Sequence, residues 1–128
     1  MAKTQARTAL VSSKTFATGD NGRLDCSAVD GGIVTLCITN AGTGPTAQVV
    51  GRILVAHKDA SMPAAAAEGA GDLDWKQVYE IGGGTTANAK VRGAFRFGRE
   101  VAYLQVRFDS GTGTAPTVEA HATTHTDA

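Results

Sequence analysis

Apolar and polar residues alternate along the chain with a period of two, and Gly-rich turns interrupt the alternation roughly every 8–14 residues. This period is typical of a β-strand that buries one face. About eight strands and no long helical pattern predict an all-β protein, an antiparallel β-sandwich of the jelly-roll type, with an immunoglobulin-like sandwich as the alternative. The segments that carry the pattern are Ala9–Phe16, Arg23–Ala28, Ile33–Asn40, Ala47–Lys58, Trp75–Ile81, Asn88–Phe97, Val101–Asp109 and Thr117–Thr123.

The alternation is clearest in the segments 88–97 and 101–109. In the first, apolar side chains share one face and cations share the other, namely Val91, Phe95 and Phe97 against Lys90, Arg92 and Arg96. In the second, one face carries Ala102, Leu104, Val106 and Phe108. Because only the short run 97–100 separates the two segments, the sequence predicts that they pair as a hairpin.

A second hairpin is predicted at Asp30-Gly31-Gly32, and two registers are open for it. A three-residue loop pairs Leu24 with Ile38 and keeps one face apolar, so burial favours this register. A two-residue loop instead places Cys26 directly opposite Cys37. Two cysteines do not make a disulfide framework, and we expect free thiols.

Composition narrows the functions that remain open. The 128 residues include 12 basic and 12 acidic side chains, so the formal net charge is zero. This balance argues against a nucleic-acid partner and against binding to anionic membranes. The N-terminus lacks the apolar run of a secretory signal, and no stretch approaches the roughly 20 apolar residues of a membrane span. We expect a single β-sandwich domain over residues 1–128, made in the cytoplasm, with flexible arms at about 1–8 and 121–128.

Residue patterns that would indicate catalysis are weak. The run 82–86 resembles a phosphate loop but lacks the lysine that contacts the phosphates. His121 and His125 are four residues apart, which on a strand is about 13 Å and too far to share one metal ion. We therefore expect a protein that is not an enzyme, without catalytic residues, a cofactor or a metal site.

Candidate partner contacts are apolar residues that no predicted part of the sandwich buries. Val101 and Tyr103 lie on the face opposite Leu104, and a strand that is apolar on both faces needs a second cover. Either a partner chain or the segment 60–74 would provide it. Met62 belongs to the run Ser61–Glu68, which is predicted to be a long loop with one or two helical turns that orders on a partner. The candidate contacts are thus Val101, Tyr103 and Met62.

The run Tyr103–Phe108, the Gly/Thr-rich turns after it and Thr117–Ala120 resemble small virion proteins of tailed bacteriophages, in particular capsid decoration or cement proteins. The resemblance covers most of the chain from Ile33 onward and lies in its length and general character. It implies a structural virion protein on the capsid surface, made in the host cytoplasm. Its partners would be the major capsid protein and copies of itself, as a dimer or trimer, and many modest contacts would hold it in place.

Two other functions compete with this one. A carbohydrate- or receptor-binding module of a phage tail or fibre needs an aromatic platform, which Trp75 and Tyr79 would form from one strand face. Ile81 continues that face, however, and so favours a core position for both. A jelly-roll metal enzyme needs clustered histidines and carboxylates, and the chain has three histidines.

Overall fold

The computed structural model describes residues 3–56 and 75–127, and the side chains of residues 5–56 and 75–126. Antiparallel strands make up most of this part of the chain. They are β1 (Lys3–Thr15), β2 (Asp20–Asp25), β3 (Gly31–Thr39), β4 (Pro45–Ala47), β5 (Val50–Ala56), β6 (Lys76–Gly82), β7 (Lys90–Gly98), β8 (Tyr103–Asp109), β9 (Thr112–Gly113) and β10 (Thr117–Asp127). No helix long and apolar enough to cross a membrane occurs within these residues.

The strand order is that of a jelly roll. The first sheet has the order β1-β10-β3-β7 and the second sheet has the order β2-β8-β5-β6, while β4 and β9 form a small extra pair. Four of the pairs are nested along the chain, because β1 pairs with β10, β2 with β8, β3 with β7, and β5 with β6. The chain is therefore a long hairpin rolled into two sheets, and this topology confirms the jelly roll over the immunoglobulin-like alternative.

Both hairpins predicted from the sequence are wrong. Strands β7 and β8 lie in different sheets, since β7 pairs with β3 and β8 pairs with β2 and β5. Strands β2 and β3 also lie in different sheets, so neither proposed register of Leu24 with Ile38 or of Cys26 with Cys37 forms. In a jelly roll, most short connections cross from one sheet to the other instead of turning back within it.

Alternation nevertheless places the core as the sequence predicts. In the middle of β3, β8 and β10, the even-numbered residues point between the sheets and are fully buried, namely Val34, Leu36, Ile38, Leu104, Val106, Phe108, Val118 and Ala120. Ile53 and Val55 of β5 complete this first core from the second sheet. The interior is thus filled by side chains from both sheets.

A β-bulge in β6 reverses the alternation at one point. Ile53 pairs with Tyr79, but its neighbour Leu54 pairs with Gln77, which leaves Val78 as the extra residue. Tyr79 therefore packs against the first core, while Trp75 lies on the outer side of the second sheet. The two aromatic residues share parity in the sequence yet lie on opposite faces, so the aromatic platform considered for sugar binding does not form.

Residues 3–9 and 121–127 lie in paired strands, within the ranges where the sequence predicts arms. Residues 3–9 of β1 pair with residues 121–127 of β10, and β10 also pairs with β3 along its length. Since β10 is a central strand, its C-terminal half is held by hydrogen bonds on both sides. The predicted loop at 61–68, which includes Met62, lies outside the described residues.

Candidate interaction surface

The outer faces of the two sheets differ in how far their apolar side chains are exposed to solvent. On the second sheet, Leu54, Ala56, Trp75 and Tyr103 form a small second apolar cluster, and each is 5% exposed or less. On the first sheet, outward residues such as Ile33, which is 38% exposed, remain open to solvent. The outer face of the first sheet is therefore the candidate surface for a partner.

A charged network on the second sheet forms ion pairs within the chain. Arg52 of β5 lies directly opposite Arg107 of β8, which by itself would be repulsive. The buried Asp109 carboxylate accepts from both guanidiniums through Oδ2, at 3.5 Å from Arg52 and 2.8 Å from Arg107. Glu80 adds a longer contact to Arg52, at 3.8 Å. These charges stabilise the sheet and are not free to bind a partner.

Cations outnumber carboxylates among the described outward side chains of the first sheet, and we call this outer side the basic face. The alternation of the four strands places Arg7, Lys90, Arg92 and Arg96 on it, all of them exposed. Glu119 is the one carboxylate among its described side chains of residues 5–126. With neutral histidines, these four cations and one anion give the described side chains of this face a net charge of +3.

Strand register arranges these groups in rows across the sheet. One row runs from Arg7 through Thr123 and Ile33 to Arg96, and the next consists of Ala9, His121, Thr35 and Ala94. With about 4.8 Å between strands, the two arginines of the first row start about 14 Å apart at the backbone. Side chains of the second row project little from the sheet, because three of the four are small. The centre of the basic face is thus shallow, and cations lie along its margins.

A shallow depression in the basic face brings together groups that are distant in the sequence. Cys37, Glu119 and His121 line it together with Arg7 and Arg92. The His121 Nε2 lies 3.6 Å from a Glu119 carboxylate oxygen, and the Cys37 thiol lies 3.8 Å from the Thr39 hydroxyl. The sequence places no histidine within 19 residues of Cys37, so this arrangement arises only from the pairing of β10 with β3.

The other cysteine is a core residue. Cys26 follows β2, is 2% exposed and belongs to the first core. Burial raises the pKa of its thiol to about 12, and the neighbouring Asp25 charge acts in the same direction. A thiol that stays protonated at neutral pH is a poor nucleophile. Both cysteines are free, and they lie on different layers of the sandwich.

The candidate contacts predicted from the sequence lie in the interior where the structure describes them. Val101 is 4% exposed and packs in the first core, because it precedes β8 and does not follow the parity of that strand. Tyr103 points outward from β8 as predicted, but it is 5% exposed and packs in the second cluster with Trp75. The exposure on which their assignment as contacts rested is therefore wrong. Met62 is outside the described residues.

The glycine run at 82–86 is a structural turn, as the sequence indicates. The amide of Gly83 donates to the Val49 carbonyl, and the amide of Gly84 donates to the Gln48 side chain at 3.2 Å. The buried Asn40 side chain donates to the carbonyls of Gly83, Gly84 and Thr86 at 2.9–3.3 Å. Amides that are bonded within the chain are not available to cradle a phosphate.

Carboxylates and histidines do not gather into a metal site among residues 3–56 and 75–127, where no group of three potential ligands is found. His121 and His125 lie on the same strand, and they line different depressions of the basic face. Asp109 and Glu119 lie on the outer faces of opposite sheets, so they do not form a carboxylate pair. His57 is outside the described residues.

Comparisons with known proteins identify no family. No protein-family model matches the chain, and no curated protein matches it either. Among solved structures, the K3 cleaved adhesin domain of Lys-gingipain from Porphyromonas gingivalis is similar at a TM-score of 0.49 and 11% identity, over 94% of this chain and 73% of that one. VP2 in the subviral particle of infectious bursal disease virus is similar at a TM-score of 0.48 and 9% identity, over 95% of this chain and 32% of that one.

A second structure of that virus, of its Gx strain, gives a TM-score of 0.46 at 8% identity, over 97% of this chain and 32% of the viral one. The chain thus spans about a third of the length of these viral chains. Likenesses at this level carry no argument about function, which has to come from the surfaces described above.

Proposed function

We propose that this protein is a structural virion protein that binds an assembled bacteriophage capsid and stabilises it through many modest protein–protein contacts. One observation carries the proposal. The space between the sheets is filled by side chains, while the outer face of the first sheet is exposed and cationic. A molecule built in this way acts through its outer surface, and jelly rolls are a recurring scaffold for capsid and lectin domains.

The character of the surface fits multivalent binding. The basic face is broad and shallow and has exposed charges at its margins, so each single contact with a partner is modest. Repetition over an icosahedral shell multiplies such contacts, since many copies act on one assembly. A protein that binds the assembled shell and not its dissociated subunits stabilises the shell by mass action.

The aromatic platform of Trp75 and Tyr79, which would have favoured a sugar-binding function, does not form. Trp75 is 1% exposed in the second cluster, and Tyr79 packs against the first core on the other side of the sheet. An aromatic platform needs two rings on one exposed face. Wild type and Trp75→Ala on a glycan array would still provide a direct comparison, and sugar binding by the wild type that is lost in the folded variant would contradict the structural role.

Co-sedimentation with capsids of the source virus tests the proposal. Purified protein should pellet with mature capsids up to a fixed number of copies per shell and should raise the temperature at which the shells release their contents. Light scattering after size-exclusion chromatography would give the oligomeric state that binds. A protein that stays in the supernatant at every concentration, as a monomer, would refute the proposal.

A further inference from the structure

We infer that the basic face is the docking surface of this protein and that it binds an acidic protein surface, one that presents several carboxylates. This inference rests on the proposed function, and it adds the location of the contact and the chemistry of the partner. It depends on the described side chains of the first sheet alone.

Charge asymmetry is the first argument. Among the described side chains, the basic face carries Arg7, Lys90, Arg92 and Arg96 against a single Glu119, while the remaining described side chains balance at six cations and six acids. The excess of positive charge therefore lies on one side of the sandwich. Such a patch steers association with a surface of opposite charge and disfavours surfaces of like charge.

The chemistry of the cations is the second argument. Three of the four are arginines, whose planar guanidinium groups accept carboxylates in a two-point geometry. Arg52 and Arg107 on the other sheet share the buried Asp109 carboxylate. By contrast, Arg92 and Arg96 are exposed on the edge strand β7. They are two rows apart along β7, about 13 Å at the backbone, and so suit carboxylates spaced across a protein surface.

The shape of the face is the third argument. The row of Ala9, His121, Thr35 and Ala94 crosses the sheet beside the exposed Ile33, and three of its four side chains are small. A partner surface can approach this row while its carboxylates reach the arginines at the margins. Apolar contact at the centre with charged groups around it is the usual anatomy of a protein interface.

A symmetric dimer through this face is disfavoured by the same charges. A two-fold interface places each patch against its own copy, so the arginines of one chain would meet those of the other. Like charges across an interface reduce affinity. Self-association through the basic face and binding of a nucleic acid are therefore outcomes that the experiment has to separate from docking on an acidic protein.

The experiment measures binding to DNA-free capsids of the source virus at 50 and 300 mM NaCl. Arg92→Glu reverses one charge of the basic face and should weaken binding about tenfold, because it replaces an attraction with a repulsion. Glu119→Gln removes the carboxylate found among the described side chains of this face and should strengthen binding about threefold at low salt. The matched control Lys76→Glu reverses an exposed charge on β6 of the other sheet and should leave binding unchanged. Circular dichroism and thermal unfolding confirm that each variant is folded.

The outcomes separate the two proposals. If the wild type binds capsids and all variants bind equally at both salt concentrations, the docking surface is wrong and the capsid function stands. If the wild type does not bind capsids, the proposed function is wrong. Equal losses for Arg92→Glu and Lys76→Glu would refute a localised face. Tighter binding to RNA than to DNA-free capsids, or an Arg92-dependent dimer by sedimentation, would refute an acidic protein as the partner.

Discussion

Gly22 lies at a close approach between the two sheets near the start of the chain. It pairs with Val106 in the second sheet, while the backbone of Leu10, at an irregularity of β1 in the first sheet, packs against it. A Cβ atom added at Gly22 would meet the Leu10 carbonyl oxygen at 2.1 Å and two further backbone atoms within 2.9 Å. Gly22→Ala therefore forces one strand backbone away from the other.

The cost follows from the distances. An ordinary contact begins at 3.4 Å, so the 2.1 Å approach is 1.3 Å too short. Overpacking costs about 1–3 kcal/mol when side chains adjust, and here the backbone has to move. Disturbing one ladder hydrogen bond of β1 adds about 1 kcal/mol. We expect Gly22→Ala to lower the free energy of unfolding by about 2–4 kcal/mol, which corresponds to a Tm lower by roughly 8–16 °C.

Urea and thermal unfolding followed by fluorescence would measure this, because the chain has one tryptophan and Trp75 is buried. Gly42→Ala is the matched control. A Cβ at Gly42 meets nothing within 4 Å, so this variant should gain up to about 0.4–1 kcal/mol from the reduced entropy of the unfolded chain. If Gly22→Ala unfolds at the same midpoint as the wild type, the close approach of the two sheets is not as described.

Three further variants test the interior. Asp109→Asn leaves two guanidiniums without their shared carboxylate and should cost about 3 kcal/mol in urea unfolding; a change within about 0.5 kcal/mol would contradict the network. Deleting the bulge residue Val78 should lower the free energy of unfolding by less than about 1 kcal/mol and leave the emission of buried Trp75 unchanged. The reason is that the pairs Ile53–Tyr79 and Leu54–Gln77 on either side of the bulge are retained. A red-shifted emission would argue against this. In Cys37→Ser, the remaining Cys26 thiol should react with a disulfide reagent at pH 8 only after the protein unfolds. The free energy of unfolding should also fall as the pH rises from 9 to 12, because the Cys26 thiol ionises at lower pH in the unfolded chain than in the folded one.

Period-two alternation predicted the eight strands of the two main sheets and the buried faces of most of them, but not the short pair β4 and β9. Each of the eight predicted segments overlaps a strand, and Leu104, Val106 and Phe108 of β8 point into the core as expected. The reason is local, since successive side chains of a strand point to opposite faces whichever strand lies beside it. The cationic side of β7, from Lys90 to Arg96, was visible for the same reason.

Pairing partners were not visible in the sequence, because short connections favour hairpins only when both strands lie in one sheet. Strands β7 and β8 are separated by a short turn, yet each pairs with strands that are distant in the chain. The burial of Tyr103 and the opposite faces of Trp75 and Tyr79 depend in the same way on what packs beside the strand, and on one bulge at Val78.

The sequence by itself determined which residues form strands and which side of each strand is apolar, because both follow from the geometry of a single extended chain. Only the tertiary structure decided which strands pair. That pairing also assembles the basic face, where Arg7 from the first strand shares a row with Arg96. That assembly is a property of the whole sandwich. Burying both apolar layers at once selects one rolled arrangement from the many pairings that the strands would allow one by one.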